Sequence, residues 1–488
     1  MAYNHGVRVL EKASAISAPI ISTSGLQVVV GTAPVNLARD PYACTNVPIL
    51  VSTFEEAAAA VGYSDDFTDY NICEVIDASF RVAGAGPVVL INVLDPTVHI
   101  SNLESQQLVV TDGQVTIQTK GILADQLVVT NNGATLVKDT DYLVTFDENG
   151  YCVLTFLAVL TAASGSTVVY VTVSGKKLNP GAVNKNTIIG GIDANTGKES
   201  GLEVIRQVFP RLGLVPGLIL SPGWSQDANV AAAMAAKCLS INGVFSCECI
   251  VDLDAKSTGA IKYTDVRDVK TASALVSPHM DVMWPCAKIG SKIYHGSAIK
   301  GAYTQYADAQ NDNVPYISPS NIAIDIDGIC TEAGAEIILD EQQANVVNGW
   351  GVNTFSNFGG WKLWGNRTAA YPESTDVKDT WLCCRRFFSW WAKSFILAYH
   401  DRVDSPTNFR LIEAIVDDEN VRGNALVAQG KCAGAYIEFR EDDNPVNTIA
   451  GGQLTFSQHL APLTPAEDIL NILEFDPELL YAALEGGE

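Results

Sequence analysis

Gly217-Leu-Ile-Leu220, Asp227-Ala-Asn-Val-Ala-Ala-Ala-Met-Ala-Ala-Lys-Cys-Leu239 and Val244-Phe-Ser-Cys-Glu-Cys-Ile-Val-Asp-Leu253 follow one another in the chain. The outer two are short apolar runs of the length of buried strands. The middle one opens on Asp, an N-cap residue, and continues at helical spacing. Strand, helix, strand in immediate succession is a crossover unit that lays two parallel strands side by side. A helix over Glu199 to Phe209 precedes the unit and another over Tyr263 to Leu275 follows it. The same alternation stands near the start of the chain. Leu26-Gln-Val-Val-Val-Gly31, Val47-Pro-Ile-Leu-Val51 and Val88-Val-Leu-Ile-Asn-Val-Leu94 are strands, and Thr53 to Val61 and Tyr70 to Val82 are helices, the first with Glu55 and Glu56 behind its cap. Residues 26–100 and 176–348 are therefore expected to be two parts of one α/β domain.

Residues 101–175 interrupt it with a different grammar. Strands are expected at Gln107 to Thr111, Gln114 to Thr119, Gln126 to Thr130, Tyr142 to Phe146, Tyr151 to Phe156 and Thr167 to Val173, with Asp112-Gly113, Asn132-Gly133 and Asn149-Gly150 as turns. That pattern implies an inserted antiparallel β-sandwich.

Residues 349–465 form an expected C-terminal α+β domain, preceded by a short helix, Leu339 to Asn348. It holds a Gly- and Trp-rich stretch, Trp350 to Trp364, long helices at Asp379 to His400 and Thr407 to Gln429, and strands at Ala435 to Phe439 and Gln453 to Leu460. The aromatic belt Trp381, Phe387, Phe388, Trp390, Trp391 and Phe395 follows a helical stripe and is expected in a core. Two ends remain outside these units. Residues 1–25 are extended, interrupted by Ser and Pro, and too short to fold alone. Residues 466–488 contain a strand, Asp468 to Phe475, with Ile469, Leu473 and Phe475 on one side and Leu470 and Ile472 on the other. A strand apolar on both faces needs a covered sheet to enter.

The chain has 488 residues, room for about three domains. With 31 Lys and Arg against 55 Asp and Glu, its net charge is −24, yet only 18% of it is charged and 47% is hydrophobic. Disorder is excluded, and so much uncharged surface points to contacts with other copies. Phosphate backbones and anionic lipid repel such a chain, and no block of Lys and Arg reverses this, so direct nucleic-acid binding and membrane insertion are not expected. From Glu438 onward there are eleven Asp and Glu and one Arg.

Candidate chemistry is sparse. Eleven cysteines show no C-x-x-C pair and are expected as reduced, buried thiols, Cys247-x-Cys249 included. Gly190 to Ser200 imitates a phosphate loop, but five residues separate Gly191 from Gly197 where four are needed, and Glu199 takes the place of the Mg²⁺-binding hydroxyl. Ala323-Ile-Asp-Ile-Asp-Gly328 lacks the Glu of a Ca²⁺ loop, with Gly334 in its place. His400-Asp401 suits a helix end. Ser and Pro break the uncharged run Ala13 to Ala38, so it is not expected to be a secretion signal, and synthesis in the cytoplasm is expected. No catalytic, cofactor-binding or metal-ligating residue is assigned. A nucleotide-binding enzyme using Gly190 to Ser200 and a surface adhesin using the sandwich stay open as alternatives.

The opening Met1-Ala-Tyr-Asn-His-Gly-Val-Arg-Val-Leu-Glu11 and Ser17-Ala-Pro-Ile-Ile-Ser-Thr-Ser-Gly-Leu-Gln-Val-Val-Val-Gly-Thr-Ala-Pro34 resembles the contractile tail sheath proteins of phages and related injection particles. So do Gly351-Val-Asn-Thr-Phe355, Leu363-Trp-Gly-Asn-Arg-Thr368, the two long helices and the ending through Phe475-Asp-Pro477. The resemblance covers the chain except 101–175. It implies a structural subunit without catalysis or cofactor that polymerises in stacked rings around an inner tube and contracts from a metastable extended state to drive the tube through a cell envelope. It implies as partners further copies of the chain, the tube protein, and baseplate and tail terminator proteins, and it implies terminal arms that complete sheets in neighbouring subunits. Val7 and Val9 in the first arm and Ile469, Leu470, Ile472, Leu473 and Phe475 in the last are the residues assigned to that pairing. Because the last arm is acidic, assembly measured by sedimentation is expected to shift with salt between low and physiological ionic strength; indifference to salt contradicts a charge-sensitive docking of this arm.

Overall fold

The computed structural model describes residues 20–21, 24–165 and 167–485. Val7 and Val9 lie outside the described residues. The central sheet contains β1 (Gln27–Gly31), β2 (Ile49–Val51), β3 (Val88–Asn92), β4 (Leu218–Leu220), β5 (Glu248–Asp252) and β6 (Met280–Met283), in the order β6-β5-β4-β1-β3-β2. Every pairing is parallel except that of β2 with β3. All strands but β2 are buried along their whole length, as a sheet covered on both faces demands, and this explains why their sequences do not alternate.

Local chemistry sets the helix starts. Thr53 accepts from the Glu56 N–H to open α1 (Phe54–Val61), and the Glu56 carboxylate accepts from the Ser52 N–H in return. Behind the sheet lie α2 (Asn71–Asp77), α3 (Ala228–Leu239), opened by Asp227, α4 (Val266–Ala272) and the long buried α5 (Gly296–Gln310). Between β3 and β4 the chain builds two facing antiparallel sheets. One contains Ile100–Val109, Tyr170–Leu178, Val128–Asn131 and Ala134–Leu136; the other contains Tyr142–Phe146, Cys152–Phe156 and Gln114–Ile117. Leu103, Ile117, Val129, Leu154 and Val171 fill a core of their own, separate from that of the central sheet.

The C-terminal part holds α6 (Leu382–Tyr399), α7 (Phe409–Ala428), opened by the Asn408 side chain, the antiparallel pair β7 (Gly434–Glu438) and β8 (Ser457–Ala461), and α8 (Pro477–Glu485). Phe387 and Trp391 of α6 join Leu426, Cys432 and Ala435 in a third core, as the helical stripe predicts. On its other side α6 buries a polar stripe against the α/β body. Arg386 forms a two-bonded ion pair with Asp308 at the end of α5, Nη1 to Oδ1 at 3.0 Å. The Ser389 hydroxyl donates to Glu248 Oε1 at 2.6 Å, and Lys393 Nζ donates to the Pro216 carbonyl at 2.6 Å. The Ser24 hydroxyl donates to the second Asp308 oxygen at 2.6 Å. The Gly- and Trp-rich stretch is a hairpin, Thr354–Asn357 against Trp361–Trp364. Lys270 of α4 holds its flanks, donating to the carbonyls of Trp350, Ala369 and Tyr371; burial pulls the Lys270 pKa down to about 8.

Three expected elements differ. Glu199 to Phe209 is not one helix but a hairpin strand, a 3₁₀ run (Gly201–Gln207) and a single helical turn (Val208–Leu212), because Gly201 sits at φ +59° against the Ile188 carbonyl, where no Cβ fits. Val244 to Leu253 contributes only Glu248–Asp252 to the sheet, since Ile241 and Phe245 close a turn on Asn242-Gly243. Asp468 to Phe475 is not a strand here and forms no ladder with any described strand.

The Asp308–Arg386 pair is buried, so removing one member strands the other. Asp308→Ala is expected to lower stability by about 3–5 kcal/mol in chemical denaturation, and Arg386→Met with Asp308→Leu to recover most of that loss. A single-variant loss below about 1 kcal/mol contradicts a pair that holds α6 to the body.

Candidate assembly interface

An open parallel sheet offers a ligand crevice beyond the carboxyl ends of its strands where the strand order reverses, here between β1 and β4. That place is occupied by the chain itself. The Asn71 side chain of α2 accepts from the N–H and hydroxyl of Thr32, both at 2.8 Å, and donates to the Pro222 carbonyl at 2.7 Å. A Cβ on Gly31 would strike its amide, so the glycine is what lets Asn71 in. Beside it, Glu74 accepts from the His295 N–H and lies 3.0 Å from His295 Nδ1, while Asp252 accepts from Ser225 Oγ at 3.2 Å and from the N–H and hydroxyl of Ser297. Burial opposes a charge on His295, but the carboxylates of Glu74, Asp252 and Glu332 outweigh it and push its pKa up to about 9. Burial raises Asp252 to about 6 against the pull of His295 and the Ser297 bonds.

The other candidate loops are spent as well. Gly190 to Ser200 is a hairpin, pairing Gly191 with Ser200 and Ile192 with Glu199. Its turn amides, Asn195 and Thr196, already donate to Asp193 Oδ1 at 3.0 and 2.7 Å, so a carboxylate of the chain sits where a phosphate would. Cys247 and Cys249 are both buried, the first 3.7 Å from Cys238 Sγ and the second against the His279 carbonyl. All eleven thiols are free and buried. Among the described residues no cluster of His, Cys, Asp and Glu is disposed for a metal ion, and no helix is long and apolar enough to cross a membrane. Ile324 and Ile326 are buried while Asp325 and Asp327 bind neighbouring groups through backbone and carboxylate, leaving a strand entry at Ala323 to Gly328. His400 stands at the carboxyl end of α6.

The longest run of exposed apolar side chains among the described residues lies at the carboxyl end. Ile469 is 83% exposed, Leu473 87% and Phe475 81%, with Leu470 and Ile472 close behind. Beyond them α8 turns Leu479, Leu480, Tyr481 and Leu484 to solvent. The β7–β8 pair stands nearby with two unlike edges. The outer edge of β7 is closed by α7: Asn420 donates to the Ile437 carbonyl at 3.1 Å and accepts from its N–H at 2.9 Å. Gly423 lets the helix approach the Ala435 carbonyl, where a Cβ would collide. Since Ile437 and Ala435 turn their backbone groups to α7, antiparallel alternation directs those of their cross-strand partners, Gln458 and Leu460, outward along the far side of β8. Among the described residues the sheet therefore ends in one capped edge and one open edge. The sequence marks the arm through its two-sided apolar pattern. It gives no sign of the Asn420 and Gly423 cap, which exists only once α7 meets β7.

The geometry first gives a class: an α/β protein whose ligand crevice is filled and whose apolar surface is carried on an arm. No protein-family profile matches the chain. Among curated proteins it is similar to the tail sheath protein of Burkholderia phage BcepMu, 25% identical over 497 aligned residues that cover 99% of each chain. It is 24% identical to the tail sheath protein of Escherichia phage P2 over 296 residues, 58% of this chain and 69% of that one. Among solved structures it is similar to a chain of the anti-feeding prophage baseplate, with TM-score 0.58 and 14% identity over 98% of this chain and 100% of the other. It is likewise similar to the sheath complex of an extracellular contractile injection system in its contracted state, with TM-score 0.55 and 14% identity over 98% and 99%. At such identities the solved structures share the fold, and the curated likeness, full-length for the BcepMu protein, is to phage tail sheath proteins.

His295 is a base whose folded pKa, about 9, exceeds its unfolded value of about 6.5. Its contribution is complete below pH 6.5 and is lost as pH rises through 9, on the order of 3 kcal/mol. Thermal melting from pH 6 to 10 is expected to show this fall in the parent chain relative to Glu74→Gln; parallel profiles contradict a charged His295.

Proposed function

We propose that this chain is the structural subunit of a contractile sheath. It assembles with copies of itself in stacked rings around an inner tube, between a baseplate and a tail terminator, and shortens from a metastable extended lattice to drive the tube through a cell envelope. Assembly takes place in the host cytoplasm, and no catalysis or cofactor is required. Exchange of the terminal arms keeps the lattice connected: Ile469, Leu470, Ile472, Leu473 and Phe475 of one copy pair with a neighbour, as do Val7 and Val9 at the other end. The units are those expected from the sequence, the sandwich being an insertion in the α/β body.

The observation that carries the reading is an exposed two-sided apolar arm on a chain with one capped and one open sheet edge. An added strand takes the free backbone groups of Gln458 and Leu460 and buries its side chains at roughly 1.5–3 kcal/mol each. Ordering its backbone costs about 1–2 kcal/mol per residue, so the net gain per arm is small. A small gain repeated along a lattice suits an assembly that must hold and later rearrange. The nucleotide and adhesin alternatives have no such support.

The purified chain is expected to form rings or tubes in negative-stain images. Deletion of residues 466–488 is expected to leave a folded body that no longer polymerises. Gln458→Pro removes an outward N–H and, of the β7–β8 contacts, only the side-chain bond from Gln458 to the Tyr436 carbonyl, so it is expected to cut polymer yield more than tenfold while melting within about 2 kcal/mol of the parent. Truncated chains that polymerise at the parent's concentration contradict arm exchange.

A further inference from the structure

The C-terminal arm leaves the body only after a strap that crosses it. Past β8, the Leu463 carbonyl accepts from Cys383 Sγ, and Pro465 to Asp468 line a polar cleft of about 450 Å³ beside Asn345 and Asn348. Glu467 then meets Arg367 in a two-bonded ion pair, Nε to Oε1 at 3.2 Å and Nη2 to Oε2. Exposure runs from the strap, at Leu463, Thr464 and Ala466 to Asp468, on into the arm from Ile469, so the strap differs from the arm by its bonds and not by burial.

Arg367 is itself held from several sides. Its backbone N–H donates to Asn353 Oδ1 at 3.3 Å, and its carbonyl accepts from Asn353 Nδ2 at 2.9 Å. Its guanidinium lies 3.5 Å from the Trp381 ring centroid and 4.4 Å from that of Tyr371. Asn353 also donates to Asp281 of β6 at 2.6 Å, and Asp281 accepts from Lys300 of α5 at 2.8 Å. An unbroken series of polar contacts thus runs from the buried sheet to the root of the arm. A guanidinium fixed in this way presents a planar fork to one carboxylate and loses little freedom in doing so.

We infer that Arg367 is the positioning residue of the C-terminal arm: by holding Glu467 it fixes where and in which direction the arm departs, and sets the pivot at Asp468 and Ile469 in place of the end of β8. The inference rests on the arm-exchange reading and adds the part of the body that aims the arm. A donor strand tied at Glu467 searches a smaller volume than one tied at Ala461. Freeing the strap roughly doubles the flexible length, which by length alone lowers the effective concentration at a neighbour's edge about two- to threefold, and the loss of direction adds to it.

Two measurements test it. On the unassembled chain, a Glu-specific protease is expected to cut after Glu474 readily and after Glu467 at least about tenfold more slowly. Arg367→Gln is expected to bring the Glu467 cut up to the Glu474 rate, and Arg367→Lys to keep part of the protection. On assembly, Glu467→Gln, which leaves Arg367 on its rings and is checked by an unchanged melting point, is expected to raise the concentration needed for polymers about two- to fivefold. Arg367→Glu with Glu467→Arg is expected to return it toward the parent, where either reversal alone does not. Equal cutting after Glu467 and Glu474 in the parent overturns the inference whether or not polymers form, as does parental assembly by Glu467→Gln. A parent chain that never polymerises but protects Glu467 counts against the sheath reading and leaves the clamp supported.

Discussion

Asp308 is the charge on which the separate parts of this chain converge. It stands at the end of the long buried helix α5, takes both nitrogens of the Arg386 fork from the C-terminal helix, and accepts the hydroxyl of Ser24, just before β1. Burying two charges costs desolvation that attraction alone does not always offset; here the two-bonded geometry and the third donor leave neither group short of partners. Apolar packing could hold α6 against the body in many registers. A stripe of Arg386, Ser389 and Lys393, each with one partner at one place, holds it in one. The same carboxylate therefore sets the C-terminal helices on the sheet and binds the residue that leads into β1.

That rigidity gives meaning to what is left loose. A subunit that must stay connected while its neighbours slide needs a stiff body, and arms whose departure points do not wander. The sheet supplies stiffness partly by giving up the crevice in which comparable sheets hold ligands: Asn71, Glu74, His295 and Asp252 fill it, Glu74 against His295, Asn71 on Thr32 and Pro222, and Asp252 on Ser225 and Ser297. The low charged fraction and the exposed apolar arm are costs to an isolated chain, and both are relieved when copies meet.

Much of the fold was legible because local physics decides it. The apolar runs of β1, β3 and β5, the caps at Thr53 and Asp227, and the glycine turns of the sandwich each announce themselves within a few residues. The region from Glu199 to Phe209 did not, because Gly201 is shaped by a backbone approach from a segment that the periodicity does not contain. The two-sided apolar pattern of the arm was legible, and among the described residues the arm pairs with no strand. The capped edge of β7 and the clamp on Glu467 were not, since Asn420, Gly423 and Arg367 acquire their roles only from neighbours far along the sequence. The polar stripe of α6 was hidden in another way: its residues alternate with the aromatic belt, whose helical spacing dominates the pattern.

Everything here turns on one claim, that the strand from Ile469 to Phe475 is completed by a neighbour along β8. A helical reconstruction of assembled polymers at side-chain resolution tests it most directly. The account predicts density for Ile469 to Phe475 of one copy running beside Ser457 to Ala461 of another, with the backbone groups of Gln458 and Leu460 paired and the α7 side of β7 unchanged. Density that places this strand against its own chain, or leaves the open edge of β8 bare in a well-formed lattice, contradicts it.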